Sequence, residues 1–416
     1  MQTRVNLRAV FEAAGRRQVL ALLAGCLAVI VAVAVLRWVT PTDPDDRTAT
    51  GPPSTAGEAP ATLPTTAAAT GPTAPGPGCG EAATTIASWP VRRRLALLVV
   101  VGVDPTGPAE ATALVEEHHV GGLFVGGNDT GLLASGALAD LREASPTGLL
   151  VAVDEEGGRV QRIDELDGEV PSAREMAATM TPEEVRARAE RRGGAMAALG
   201  VTVDLAPVVD VSDQPDGTVI GDRSWSADPE VVATYAGAYA EGLVAAGVAP
   251  VLKHFPGHGA ASGDTHQGAA TTPPLDALRT RDLVPYQRLL PTLGAGAAVM
   301  LGHLDVPGLT EPDTPASLSP AAVALLRGEY GFGGVVMTDD LAGMASITAR
   351  LGPEEAAVRA LAAGVDVVLF DAVDVPGLLD RLEAAVADGT LSEEHIDASV
   401  ARVLALQGID PCTVAL

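Results

Sequence analysis

From about residue 83 onward, short apolar runs alternate with longer Ala/Leu/Glu/Arg stretches whose apolar positions recur every three to four residues. The short runs read as strands, at Leu95–Val101, Gly122–Val125, Leu149–Val153, Val201–Leu205, Val248–Leu252, Ala297–Leu301, Gly334–Met337 and Asp366–Phe370. The stretches between them read as helices, at Pro182–Leu199, Pro229–Ala246, Pro320–Tyr330 and Pro353–Ala363 among others. Gly200, Gly247 and Gly364 stand between a helix and the next strand, where a left-handed cap is needed. Eight strands, each followed by a helix or a loop, predict an α/β fold of the (β/α)8 TIM type as one domain over 83–416. A doubly wound open sheet is the alternative, but no Gly-x-Gly-x-x-Gly follows the first strand.

The chain before that region has a different texture. Residues 19–36 carry no charge, and at 1.5 Å per residue they span about 27 Å, close to the hydrocarbon thickness of a bilayer. Arg4, Arg8, Arg16 and Arg17 precede them, and Asp43, Asp45 and Asp46 follow. That asymmetry predicts residues 1–18 in the cytoplasm, a transmembrane anchor or signal segment over 19–39, and the remainder outside. Leu23-Ala24-Gly25-Cys26 also resembles a lipoprotein cleavage box, which makes Cys26 a lipidation candidate. The run stays apolar for ten residues beyond Cys26, however, and this favours an uncleaved anchor. Residues 40–82 are rich in Pro, Thr, Ala and Gly and read as an extended linker.

Composition narrows the functional classes. The net charge of −26 argues against nucleic acid and against anionic membrane surfaces as partners. Aromatic residues are only 3% of the chain, too few for a base-stacking platform or a long aromatic sugar cleft. Of three cysteines, Cys79 and Cys412 flank the predicted barrel, and in an exported protein a disulfide between them would tie its two ends; two free thiols are the alternative. Lys253 is the only lysine, the other basic side chains being arginine. It lies in Lys253-His254-Phe255-Pro256-Gly257-His258-Gly259, and four of the seven histidines fall between His254 and His303. A lysine kept in an arginine-biased chain suits a place where a compact ammonium fits and a planar fork does not.

In a barrel of this type chemistry sits at the C-terminal ends of the strands. The polar clusters follow the predicted strands: Asp154-Glu155-Glu156-Gly157-Gly158-Arg159 the third, Asp210 the fourth, Lys253-His254 the fifth, His303 the sixth and Asp339-Asp340 the seventh. A carboxylate such as Asp339 at the end of a buried strand suits a nucleophile or a charge stabiliser, although an Asp pair also suits a helix N-cap. Asp264 and His266, two residues apart, can pair so that the carboxylate fixes the imidazole tautomer and His266 exchanges protons; they would also serve as ordinary loop residues. Arg223 suits a sugar hydroxyl or a structural ion pair. His254 and His258 have zinc-like spacing, but Pro256 between them prevents the helix that would align them. Neither metal nor cofactor is expected.

Asp154-x-Glu156-Gly157-Gly158-Arg159-Val160-x-Arg162, Gly221-x-Arg223-Ser224, the Lys253–Gly259 segment, Asp264-Thr265-His266 and Thr338-Asp339-Asp340-Leu341 resemble, in this order, the motifs of glycoside hydrolase family 3. The Asp-x-His loop narrows the resemblance to its single-barrel β-N-acetylglucosaminidases, over roughly residues 90–410. Glu155, and Trp225 where phenylalanine is expected, are mild departures. The resemblance implies Asp339 as nucleophile, His266 as acid/base in a dyad with Asp264, and Asp154, Arg159, Arg223, Lys253 and His254 as substrate-binding residues. Arg159 would chiefly order the site, and His258 would brace its loop. An exo-acting, retaining β-N-acetylglucosaminidase follows, acting as a monomer on N-acetylglucosamine-containing glycans such as peptidoglycan fragments at the outer membrane face. A phosphorylase or β-glucosidase of the same family, and a catalytically dead wall-binding barrel, are the alternatives.

Overall fold

The computed structural model describes residues 86–414. The segments read as N-terminal tail (1–18), anchor (19–39) and linker (40–82), with Cys26 and Cys79, lie outside the described residues. Among the described residues no helix is long and apolar enough to cross a membrane. Cys412 is disulfide-bonded, and the chain's other two cysteines are both outside the described residues.

Eight parallel strands close a barrel: β1 (Val99–Gly102), β2 (Gly122–Phe124), β3 (Leu150–Val153), β4 (Val203–Asp204), β5 (Ala249–Phe255), β7 (Ala298–Leu301), β9 (Val335–Asp340) and β10 (Val367–Phe370). Each pairs with the next, and β1 pairs with both β2 and β10, at Val100↔Gly122 and Val99↔Val368. That closure excludes the open sheet. Two further strands, β6 (Ala270–Thr271) and β8 (Leu304–Asp305), pair with each other and join the loop after β5 to the chain leaving β7. The strands β1, β3, β7 and β10 are buried along their whole length, as expected where side chains fill the barrel on one face and helices cover the other.

The helices start and stop where their sequence signals stand. Pro182–Ala198 opens on a capping box between Thr181 and Glu184, and Pro229–Ala245 opens on Asp228. Gly200, Gly247 and Gly364 all have positive φ, as their place between helix and strand requires. The two long helices pack closely because Gly242 has no side chain: a Cβ there would lie 2.4 Å from the Arg186 carbonyl oxygen.

Several boundaries differ from the sequence reading for physical reasons. Leu95 and Ala96 end a helix, Val91–Ala96, and are not part of the first strand. An apolar run has no period of its own, and here Arg94 fixes the helix by pairing with Glu393 and Asp397 of the C-terminal helix. Strands β5 and β9 run on through Lys253–Phe255 and Thr338–Asp340. The polar residues therefore belong to the strand ends themselves, where the mouth of the barrel admits them. The helix expected over Pro320–Tyr330 is α-helical to Ala324 and then widens into a π-turn, Leu325–Glu329.

At the end of the barrel away from those polar residues, Asp366 precedes β10 and is fully buried. One carboxylate oxygen accepts from the Arg327 guanidinium at 2.5 Å and the Val336 amide at 2.8 Å. The other accepts from the Ser399 hydroxyl and Arg402, both at 2.8 Å. The π-turn, β9, β10 and the helix Glu393–Leu406 thus converge on one carboxylate. Against the effect of burial, Arg327 and Arg402 hold its pKa below the usual carboxylate range. Asp366→Ala is expected to cost about 3–5 kcal/mol, because it removes the carboxylate that the buried Arg327 and Arg402 guanidiniums share. Equilibrium urea unfolding measures this, and a wild-type midpoint would refute the assignment of Asp366 as the barrel's main polar tie.

Candidate active site

The ends of β3 and β5 meet over a network of buried charge. The Lys253 ammonium lies 2.5 Å from an Asp154 oxygen and 2.6 Å from a Glu156 oxygen. Arg223, from the short 3-10 turn Gly221–Arg223, grips Glu156 with two parallel hydrogen bonds of 2.7 and 2.8 Å. Burial disfavours charge on Glu156, yet Arg223 and Lys253 outweigh it and hold the carboxyl far below its ordinary range. Burial likewise lowers the Lys253 pKa, and Asp154 and Glu156 more than restore it. Glu156, Lys253 and Arg223 keep their charges because each has its partner.

A second buried carboxylate organises the segment beyond β5. One Asp210 oxygen meets His254 Nδ1 at 2.7 Å, and the other accepts the amides of His258 at 2.6 Å and His254 at 3.3 Å. The imidazoles of His254 and His258 lie edge to face, 5.8 Å apart. The peptides Lys253–His254 and Phe255–Pro256 are cis.

Asp339, at the end of β9, accepts the Asp340 amide at 2.9 Å. Burial raises its pKa, but His254, His303, the Asp340 amide and Lys253 together hold it below the ordinary value, so it is a carboxylate at neutral pH. Its neighbour Asp340 is spent on the loop, accepting the amides of Ala342, Gly343 and Asp371. His303 bridges the Ser317 hydroxyl at 2.7 Å and the Asp340 carbonyl at 2.8 Å, and burial keeps it neutral.

On the loop after β5, Asp264 and His266 form the pair that their spacing predicts, Nδ1 to carboxylate oxygen at 2.8 Å. Burial raises the Asp264 pKa, but hydrogen bonds from His266 and Gln267 together hold it below the ordinary value. With Nδ1 engaged, Nε2 is the nitrogen left to take or give a proton. A cavity of about 310 Å³ opens over the strand ends, lined among others by Asp154, Arg223, Lys253, His254, His266 and Asp339. A larger one, about 460 Å³, lies by Leu150, Thr202, Gly247 and Gln407 near the opposite ends of the strands, away from all of these groups.

Seven of the eight sequence-derived site residues are thus gathered at one mouth, counting Asp264 through its partner His266. Arg159 is set apart from the central cavity. Its guanidinium is consumed by the carbonyls of Thr218, Val219 and Ile220 and by Asp222, which staples the loop before Arg223. Glu155 is a core group, paired with Arg192 and accepting the Arg162 and Ile163 amides. Glu156 and Asp210 carry more of the site than their sequence context indicated. For Asp210 the signal was a lone carboxylate between apolar neighbours, Val209 and Val211; Glu156 follows two other carboxylates and had no such signal. Among the described residues no cluster of His, Cys, Asp and Glu has the arrangement of a metal site.

The chain matches the model of the glycosyl hydrolase family 3 N terminal domain over residues 91–406. Beta-hexosaminidase LpqI of Mycobacterium tuberculosis is 51% identical over 341 residues, covering 80% of this chain and 87% of that protein. A beta-hexosaminidase of Stenotrophomonas maltophilia R551-3 is 43% identical over 264 residues, 61% of this chain and 75% of its own. Among solved structures, a family 3 glycosyl hydrolase of Mycobacterium smegmatis superposes with TM-score 0.74 at 53% identity, covering 77% of this chain and 98% of that one. A family 3 beta-N-acetylglucosaminidase of Paenibacillus sp. FPU-7 superposes with TM-score 0.73 at 34% identity, covering 79% and 63% respectively.

Two expectations follow from this geometry. Lys253→Arg keeps the charge but must fit a planar fork where two carboxylates already close on one nitrogen, with Arg223 beside them. It should lower kcat/KM by about 10- to 100-fold, measured on the purified variant; wild-type kinetics would make the lone lysine incidental. The second concerns Asp282, which packs beneath Gly257, where a Cβ would come within 2.4 Å of its own Cβ. Neither of its carboxyl oxygens has a hydrogen-bond partner among the described residues, and burial, opposed by Arg281 and aided by Asp210, pushes its pKa up to about 7. A raised folded-state pKa contributes stability that is complete below the unfolded value near pH 4 and is lost as pH rises through about 7. Asp282→Asn should therefore flatten the fall in melting temperature between about pH 4 and about pH 7. Parallel melting curves for variant and wild type across that range would contradict it.

Proposed function

The chain belongs to glycosyl hydrolase family 3, and we propose that this β-N-acetylhexosaminidase is an exo-acting, retaining enzyme with Asp339 as nucleophile and His266 as acid/base. The observation that carries this reading is the sharing of one cavity by a half-buried, ionised carboxylate and a carboxylate-paired imidazole. In the first step an Asp339 oxygen attacks the anomeric carbon while His266 Nε2 passes a proton to the departing oxygen. In the second, neutral His266 takes a proton from water, which attacks the glycosyl-aspartate and releases the sugar with its configuration retained. His254, His303 and Lys253 favour Asp339 as an anion, the form required for attack. Asp154, Arg223, Lys253 and His254 line the same space and offer donors and acceptors for hydroxyl groups. A volume of about 310 Å³ is at the small end of ligand pockets, which run from about 300 to 1,000 Å³, and suits one terminal sugar ring.

The N-terminal segments extend the proposal to the cell. Residues 19–39 would hold the enzyme at the outer face of the cytoplasmic membrane as a single-pass anchor, or Cys26 would do so as a lipidated N-terminus. Residues 40–82 would space a monomeric barrel, 83–416, from that surface, and Cys79 would be the partner of the disulfide at Cys412. An exported enzyme of this specificity meets N-acetylglucosamine in peptidoglycan fragments, which we take as its substrates.

A panel of aryl β-N-acetylglucosaminide, β-glucoside and β-N-acetylgalactosaminide, each with and without phosphate, tests the reading. Release from the N-acetylglucosaminide without phosphate is expected, with Asp339→Ala at background and His266→Ala about 100- to 10,000-fold slower. Normal turnover by the Asp339 variant would overturn the mechanism. Phosphate-dependent formation of a sugar 1-phosphate would make the enzyme a phosphorylase.

A further inference from the structure

The acid/base loop raises a physical problem that its own pair does not solve. His266 is exposed, sits on a turn, and is tied by its side chain only to Asp264, two residues away on the same turn. Such a pair fixes the tautomer of the ring but not the position of the loop relative to the nucleophile. A proton donor must come within about 3 Å of the departing oxygen, and a misplacement of about 1 Å costs on the order of 100-fold in rate.

The residue between them is placed differently. Thr265 is 2% exposed, while Asp264 is half-buried and His266 open. Its hydroxyl meets His258 Nε2 at 3.3 Å. Its carbonyl accepts the Ser346 amide at 3.1 Å, and the His266 carbonyl accepts the Ala345 amide at 3.3 Å. Ala345 and Ser346 open the short helix Ala345–Thr348, on the chain leaving the nucleophile strand β9. His258 is held at the other side by the 2.6 Å bond from its amide to Asp210, the carboxylate that also orients His254. Burial pushes the His258 pKa down despite Asp210, so its ring is neutral and keeps one acceptor and one donor nitrogen. Thr265 is the point at which the acid/base loop, the His254 side of the cavity and the chain leaving Asp339 are joined.

We propose that Thr265 is a positioning residue for proton transfer: its buried side chain, through His258, together with its carbonyl, through Ser346, sets the distance between His266 and the bond broken by Asp339. The proposal rests on the reading of His266 as acid/base. Its hydroxyl acts on the donor and not on the nucleophile, and that separates it from a residue that merely fills space.

The test uses leaving groups, because acid assistance matters in proportion to the basicity of the departing oxygen. The value of kcat/KM reports the step in which the glycosidic bond breaks. It is to be measured on the full enzyme, Thr265→Val, Thr265→Ser and His266→Ala with aryl β-N-acetylglucosaminides from 2,4-dinitrophenyl to 4-methoxyphenyl. Thr265→Val, which has the same shape without the hydroxyl, is expected to lose about 10- to 100-fold on the methoxyphenyl substrate, and several-fold less on the dinitrophenyl one. Thr265→Ser is expected to recover the wild-type slope. An equal loss across the series, or none, would overturn the proposal and leave Thr265 as packing. If Thr265→Val does not fold, Thr265→Ala read against Thr265→Ser makes the same comparison. If His266→Ala itself shows no dependence on the leaving group, the failure belongs to the acid/base assignment.

Discussion

Everything at the mouth of this barrel depends on the Lys253 ammonium held between Asp154 and Glu156. The contact joins the end of β5 to the chain leaving β3, and Arg223 carries it on to the loop that follows β4. Charges buried this far from water persist only if each finds its partner, and removal of one strands the others. That makes the network a poor source of net stability and a strong constraint on geometry. The strand ends can take only the arrangement in which two cations and two carboxylates close on each other. The cavity beside them is therefore shaped before any sugar enters, and this preorganisation is what electrostatic catalysis requires.

The polar interior is divided between the two ends of the barrel. At one end Asp366 gathers Arg327, Arg402, Ser399 and the Val336 amide with every contact satisfied, far from any cavity lined by the catalytic candidates. At the other, Asp210 holds two histidines and Asp339 remains unpaired except for one amide and the field of its neighbours. A carboxylate saturated with donors is a tie; one held ionised but left open suits the proposed role of nucleophile. The barrel keeps its stability and its reactivity at opposite ends of the same strands, as this architecture does in general.

The sequence made the barrel legible because its strands are buried on both faces and appear as unbroken apolar runs, while the helices between them carry their own caps. The reactive groups were legible for a related reason: a charged residue directly after such a run has nowhere to go but the mouth. What stayed hidden were partnerships. Glu156 finds Arg223 67 residues away, and Asp210 finds His254 and His258 44 and 48 residues away; no local spacing announces such distances. Arg159 was read as chiefly ordering the site, but the three carbonyls through which it holds the loop before Arg223 were not visible in the sequence. The first strand was begun too early because an apolar run has no direction of its own; the pairing of Arg94 with the C-terminal helix decides where it turns helical.

The histidine proposed as the acid has a structural consequence. A buried carboxylic acid can be tuned by burial and positioned by the same packing that tunes it. An imidazole exchanges protons without such burial, and His266 is exposed. It also arrives neutral at the second step, so a water or an anion can approach it without repulsion. The exposure that permits this removes the packing that would otherwise hold the ring, and position must then come from elsewhere. The loop obtains it from the buried residue next to the exposed one, through backbone bonds to the chain leaving the nucleophile strand. The proposed acid and nucleophile are thereby joined through a few residues of shared backbone, and the open side of the loop would be left free for the leaving group.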